Sequence, residues 1–202
     1  MIIDVHAHCI PTGFRDWLDE NGPSVGVEVV ESDKGTAVRF SNGVETGNQF
    51  GWSSLTDTES RIAAMDAMGI DIQVLAGWID LVGYEIEERN AIEYAKAHNV
   101  ALIEEQARQP ERFRSLATVP LQAPALAVEA LTYAMTELGM AGVQVATTVR
   151  GKYLDEIDGL EQVIVVEGTG KGTMAALEQV ATELQAVPAV VAERYVKIMC
   201  GD

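Results

Sequence analysis

Cysteine is scarce in this 202-residue chain: Cys9 and Cys200 stand near its two ends. That argues against a disulfide framework and against a Cys-rich zinc module. A reducing, cytoplasmic setting is the expectation. Positive charge is scarce too, with 14 Lys and Arg against 31 Asp and Glu, a net charge of −17. So negative a surface argues against nucleic acid and anionic membrane as partners. It suits a protein that draws cations into a cleft. No apolar run approaches the roughly 20 residues of a membrane span. No signal-peptide pattern precedes Ile2-Ile3-Asp4. Histidine is rare, at His6, His8 and His98 only, so any imidazole chemistry has few carriers. Apolar residues, at 48%, are enough for a real core.

The hydrophobic pattern alternates between strand and helix. Residues 2–9 read as a buried strand, followed by loop with a short helical piece around Phe14 to Leu18. Residues 25–30 and 36–41 flank Glu31 to Gly35 as a hairpin. Residues 42–55, rich in Gly, Asn and Ser, read as loop. Thr56 and Glu59 have capping-box spacing and open a helix that Gly69 stops. A buried strand over 70–76, a helix over 84–108, a strand over 114–119, a helix over 124–138 and a strand over 142–147 follow. Strands alternating with long helices imply a parallel sheet with right-handed crossovers. Continuously apolar strands imply burial of both faces. The tail reads as a strand (162–167), a glycine turn, a helix (173–184) and a final strand (187–192).

The chemistry-bearing feature is Asp4-Val5-His6-Ala7-His8. Strand alternation places Asp4, His6 and His8 on one face and Ile3, Val5, Ala7 and Cys9 on the other. Two imidazoles and a carboxylate grouped in a sheet interior need partners. A divalent cation held by His6 and His8 is one solution, and a hydrogen-bonded pair of core histidines is the other. Cys9, on the opposite face, reads as a small buried hydrophobe. Asp4 could hold a histidine in place from behind. Trp52, Trp78 and Tyr84 sit in loops where they could line a pocket for a planar substrate or simply pack. Glu85, Glu87 and Glu88 read as a solvated helix start.

The N-terminal Ile-Asp-Val-His-Ala-His resembles the amidohydrolase superfamily. Further motifs follow in order. Arg61-Ile62, Met65-Asp66 and Met68 to Leu75 look like the second strand of the aminocarboxymuconate-semialdehyde decarboxylase-like branch. Arg112-Phe113 and Leu116 to Gln122 look like its third. Gly139, Gly142 to Val145 and Gly151 to Asp155 look like its fourth. The resemblance covers residues 1–156. It implies a (β/α) barrel with its site at the C-terminal mouth of the strands, His6 and His8 as ligands of Zn2+ or another divalent metal, and a small carboxylate substrate. The metal would activate a water and hold the carboxylate. The resemblance also implies a third histidine from a fifth strand, a catalytic histidine and an aspartate. The chain offers only His98, which lies mid-helix and reads as a surface or helix-packing residue. A barrel of about 250 residues does not fit in this length, so an interruption is expected near residue 156.

Beyond it, Gly168, Gly170, Lys171 and Thr173 follow a strand and precede a helix, a phosphate-loop arrangement. Val165 stands where the first glycine of a full P-loop belongs. The same stretch resembles the C-terminal domain of L-asparaginases, or is a plain tight turn. The expected architecture is therefore α/β. Residues 1–156 form a four-stranded part of a TIM-type barrel with a hairpin insertion, and residues 157–202 a β-α-β unit. The expected activity is metal-dependent decarboxylation or hydrolysis, weak or absent if the missing ligands are not supplied. An inactive scaffold and a phosphate or nucleotide binder are the alternatives. The exposed edge of a partial barrel predicts a homo-oligomer.

Overall fold

The computed structural model describes residues 1–33, 35–47, 49–158 and 196–199. In chain order the strands are β1 (Ile3–Cys9), β2 (Val27–Ser32), β3 (Gly35–Phe40), β4 (Ile72–Gly77), β5 (Phe113–Ala117), β6 (Gly142–Ala146), β7 (Thr148–Val149), β8 (Lys152–Tyr153) and β9 (Val196–Met199). The helices are α1 (Thr12–Asn21), α2 (Ser53–Thr56), α3 (Thr58–Met68), α4 (Glu88–Arg108) and α5 (Pro124–Thr136). β1, β4, β5 and β6 pair in parallel in that order as a curled half-barrel, and β9 adds to β6. The hairpin β2–β3 is inserted between β1 and β4.

The sheet and helices bury one continuous core. Met65 of α3, Leu102 of α4 and Leu131 of α5 meet Leu75, Phe113, Ala117, Val143 and Val145 of the strands. A second cluster joins the insertion to the barrel. Val27, Val38 and Phe40 of the hairpin and Phe14 and Leu18 of α1 pack against Tyr94 and Ala91 of α4. α4 therefore serves both cores, which explains its length.

Three local expectations are corrected. Asp57, not Thr56, caps α3: its carboxylate accepts from the amides of Glu59 and Ser60, while the Thr56 hydroxyl is spent on the Trp52 carbonyl. Residues 42–55 are not all loop, since Gln49–Gly51 form a 3-10 turn and Ser53–Thr56 a helical turn. The helix expected from residue 84 starts at Glu88, after a 3-10 turn over Ile79–Leu81. Glu87 stands at its N-cap and ion-pairs with Arg89.

The larger correction concerns β1. It was expected to be buried on both faces, but it is the sheet's edge, and Ile3 and Val5 are 45% and 58% exposed. A parallel barrel buries its first strand only when a strand lies on each side of it. Among the described residues none lies beyond β1. The strand, helix and final strand expected over 162–192, and Cys200, lie outside the described residues.

His98 lies in helix packing, with no exposed surface. Its ring stacks on Phe14, centroids 4.1 Å apart, and neither ring nitrogen has a hydrogen-bond partner. Burial pushes its pKa down to about 3, and the nearby Leu81 backbone opposes this without reaching hydrogen-bond geometry. In the unfolded chain the imidazole titrates near 6.5. Between about pH 6.5 and pH 3 the unfolded chain therefore takes up a proton that the folded one refuses. Stability from this group is present above pH 6.5 and is lost as pH falls, at about 1.4 kcal/mol per unit. Urea unfolding at pH 6, 5 and 4 should show the native chain losing stability faster than His98→Phe by about that slope. Parallel losses in the two proteins would refute this.

Candidate metal centre

His6 and His8 lie at the C-terminal half of β1, the end at which a parallel barrel opens its site. Their ring centroids are 5.4 Å apart, with planes at 89°. With metal–nitrogen bonds of about 2.0–2.1 Å, rings so spaced can both reach one ion. The Nδ1 of His8 lies 3.0 Å from the Gly77 carbonyl. A carbonyl only accepts, so Nδ1 is the nitrogen that donates in this contact. His8 is half-buried beside Trp78 (centroids 5.3 Å apart), and His6 is exposed.

The expected common face of Asp4, His6 and His8 is split. Asp4 pairs with Gln73 and Ala7 with Leu75, so β1 spends one more residue than β4 over this stretch. The extra residue is a β-bulge, and it reverses the alternation. Asp4 falls on the side of Ala7 and Cys9, towards the helices, and accepts a hydrogen bond from Gln73 Nε2 at 2.8 Å. Gln73 Oε1 accepts from Arg61, whose other terminal nitrogen donates to the carbonyls of His8 and Ser54. Asp4 thus reaches the site through Gln73 and Arg61, which hold the backbone of His8. The spacing of Arg61 and Met65, four residues apart and both buried on α3, is the signal that would have picked out this arginine.

Cys9 is buried, and burial pushes its thiol up to about 12 against the opposing charge of Arg61. It is a core residue on the helix side of β1. Trp52 and Trp78 meet edge to face, 6.0 Å between centroids, in the neighbourhood of His8. Tyr84 lies apart from them, buried, its hydroxyl accepting from the Ala146 amide, and burial raises its pKa. It lines a cavity of about 560 Å3 between the hairpin insertion and the loops after β4 and β6. Ile79, Val82, Asp80, Glu85 and Arg150 share that lining. Arg150 is its one described basic side chain, and it ties the two loops by donating to the carbonyls of Tyr84 and Ile86. Asp80 accepts from the Trp78 indole, which links the cavity wall to the ring beside His8. Gly168, Gly170, Lys171 and Thr173 lie outside the described residues.

As a donor set, two imidazoles suit zinc, manganese or another first-row divalent ion. Among the described residues no cluster of three or more His, Cys, Asp or Glu is placed to hold one. None of the described helices is long and apolar enough to cross a membrane.

A parallel half-barrel with paired histidines on its first strand is the arrangement of one half of a (β/α) barrel. The amidohydrolase family model matches residues 3–179, and the chain belongs to that family. It is 26% identical over 154 residues to the 2-amino-3-carboxymuconate-6-semialdehyde decarboxylase of Dictyostelium discoideum, covering 76% of this chain and 42% of the relative. It is 38% identical over 87 residues to the gamma-resorcylate decarboxylase of Rhizobium sp. (strain MTP-10005), covering 43% and 27%. It superposes with a TM-score of 0.55 on a dihydroxybenzoic acid decarboxylase from Polaromonas sp. JS666, solved with bound manganese and 2-nitroresorcinol. That likeness has 20% identity and covers 89% of this chain and 54% of the other. The chain spans less than half the length of these two curated relatives. The branch read from the sequence is thus the right one.

Proposed function

We propose that this chain carries part of the site of a metal-dependent decarboxylase acting on a small aromatic or muconate-like carboxylate. Residues 1–156 would be the barrel part and residues 157–202 a separate unit. The observation that carries the reading is the His6–His8 pair at the open end of a parallel half-barrel, with the tautomer of His8 fixed by Gly77. The relatives' names support the substrate class, and the manganese in the solved neighbour supports a divalent cation. Zn2+ and Mn2+ both fit the two imidazoles. When bound, the cation would supply positive charge against the carboxylate and the oxygen on which charge develops. His6 and His8 would hold it through one nitrogen each. Trp78, packed on His8, keeps water from one side of that ring. The cavity beyond β4 and β6 would take the planar substrate, with Ile79 and Val82 as its apolar wall and Arg150 near the carboxylate.

The test is cation content by elemental mass spectrometry on the purified chain, with a screen of hydroxybenzoates and muconate-type acids for carbon dioxide release. One Zn2+ or Mn2+ per chain together with turnover supports the reading. A chain that binds neither ion and turns over nothing is a catalytically inactive scaffold.

Among the described residues no strand lies beyond β1, and an edge of that kind supports association of chains in the same reading. Size-exclusion chromatography with light scattering should return at least a dimer mass, and a clean monomer would count against it.

A further inference from the structure

We infer that His98 and Gly77 position His8, an inference that rests on His8 being a ligand as proposed above. His98 is fully buried, makes no hydrogen bond, and on packing grounds alone a Leu or Phe would serve better there. What it touches gives it a use. A Cβ built on Gly77 would stand 2.5 Å from His98 Cε1 and 2.8 Å from Nε2, so the imidazole lies directly against the Gly77 backbone. The ring also stacks on Phe14, parallel to within 8°. Phe14 is itself fully buried, held between Trp17 and Tyr94. The ring is therefore in contact both with a fully buried aromatic and with the last residue of β4. The residue it presses on presents its carbonyl to His8 Nδ1.

The chain of contacts is Phe14, His98, Gly77, His8. Its effect is to keep the Gly77 carbonyl where only the Nδ1–H form of His8 can meet it. That form leaves Nε2 free of a proton, as a cation requires. Glycine is needed at position 77 because any side chain would occupy the place of the His98 ring. A hydrogen-bonding partner that fixes the tautomer and tilt of a ligating histidine changes metal affinity by about 10- to 100-fold when disturbed.

The test uses the full chain with His98→Ala and His98→Phe. Two readouts are taken: the tautomer of His8, from imidazole 15N shifts without metal, and the affinity for Mn2+, from paramagnetic resonance of the free ion. His98→Ala should convert His8 from the Nδ1–H form to a mixture and weaken Mn2+ about tenfold. His98→Phe, which refills the slot without nitrogens, should keep the Nδ1–H form and an affinity within about threefold of the native chain. An unchanged tautomer in His98→Ala, or a loss in His98→Phe equal to that in His98→Ala, overturns the inference. If His98→Ala does not fold, the Phe variant alone decides: retention of the Nδ1–H form supports the inference and its loss overturns it. If the native chain binds no Mn2+, the proposed function fails at that point. The tautomer readout then still decides the role of His98 and Gly77.

Discussion

Replacing His6 and His8 together by Ala should abolish cation binding while leaving the fold intact. His6 is exposed, and its substitution should change stability by no more than about 0.5 kcal/mol. His8 gives up its hydrogen bond to Gly77 and its contact with Trp78, a loss of about 1 kcal/mol. The cores are untouched, because both are built from other residues. The effect on chemistry should be far larger. A cation facing developing charge is worth several kcal/mol, and about 4 kcal/mol is already a thousandfold in rate. Cation content should fall from about one per chain to background, and any decarboxylation by about a thousandfold or more. Single variants should each lose most of the effect, since one imidazole is a poor anchor for a divalent ion. A double variant that keeps its metal would show that the ion sits elsewhere. A metal-free native chain with measurable decarboxylation would reject the metal reading altogether.

The parallel sheet and the order of its elements could be read from the sequence because period and length agree there. The stretches that became β4, β5 and β6 are mostly apolar, and α4 and α5 carry stripes long enough to be helices and nothing else. The site was half legible. The His-x-His spacing pointed to chemistry, but no pattern announces a β-bulge, and one inserted residue sent Asp4 to the helix side. The exposure of β1 was not legible either. Apolar residues on a strand report what would cover it in a full barrel, not whether that cover lies beside it. Arg61 was visible only as part of a family motif. Its three oxygen partners come from α2, from β1 and from β4, a convergence that only the fold creates.

Gly83→Ala should be the most damaging single change in the loop that walls the cavity. Gly83 looks like an ordinary loop glycine, flanked by Val82 and Tyr84, but two physical demands meet on it. Its φ is +80°, where an L-residue costs about 1–2 kcal/mol. A Cβ there would also stand 2.5 Å and 2.7 Å from Tyr94 Cε1 and Cδ1. Tyr94 cannot yield, for it is 1% exposed, its hydroxyl donates to the Leu81 carbonyl at 3.0 Å, and its ring meets Phe14 edge to face. Forcing a methyl into so fixed a wall adds about 1–3 kcal/mol. The Gly83 carbonyl also accepts from Gln122 Nε2, so a shifted loop would break a tie to the segment after β5. The sum, about 2–5 kcal/mol, is a large share of the 5–15 kcal/mol that holds an ordinary domain together. The control is Gly43→Ala, where φ is +87° and a Cβ would meet nothing within 4 Å. It should lose only the backbone share, about 1–2 kcal/mol. Urea unfolding of the two variants separates the terms. If Gly83→Ala is no less stable than Gly43→Ala, Tyr94 is not a rigid wall, and the loop that carries Ile79 to Glu85 is free to move over the cavity.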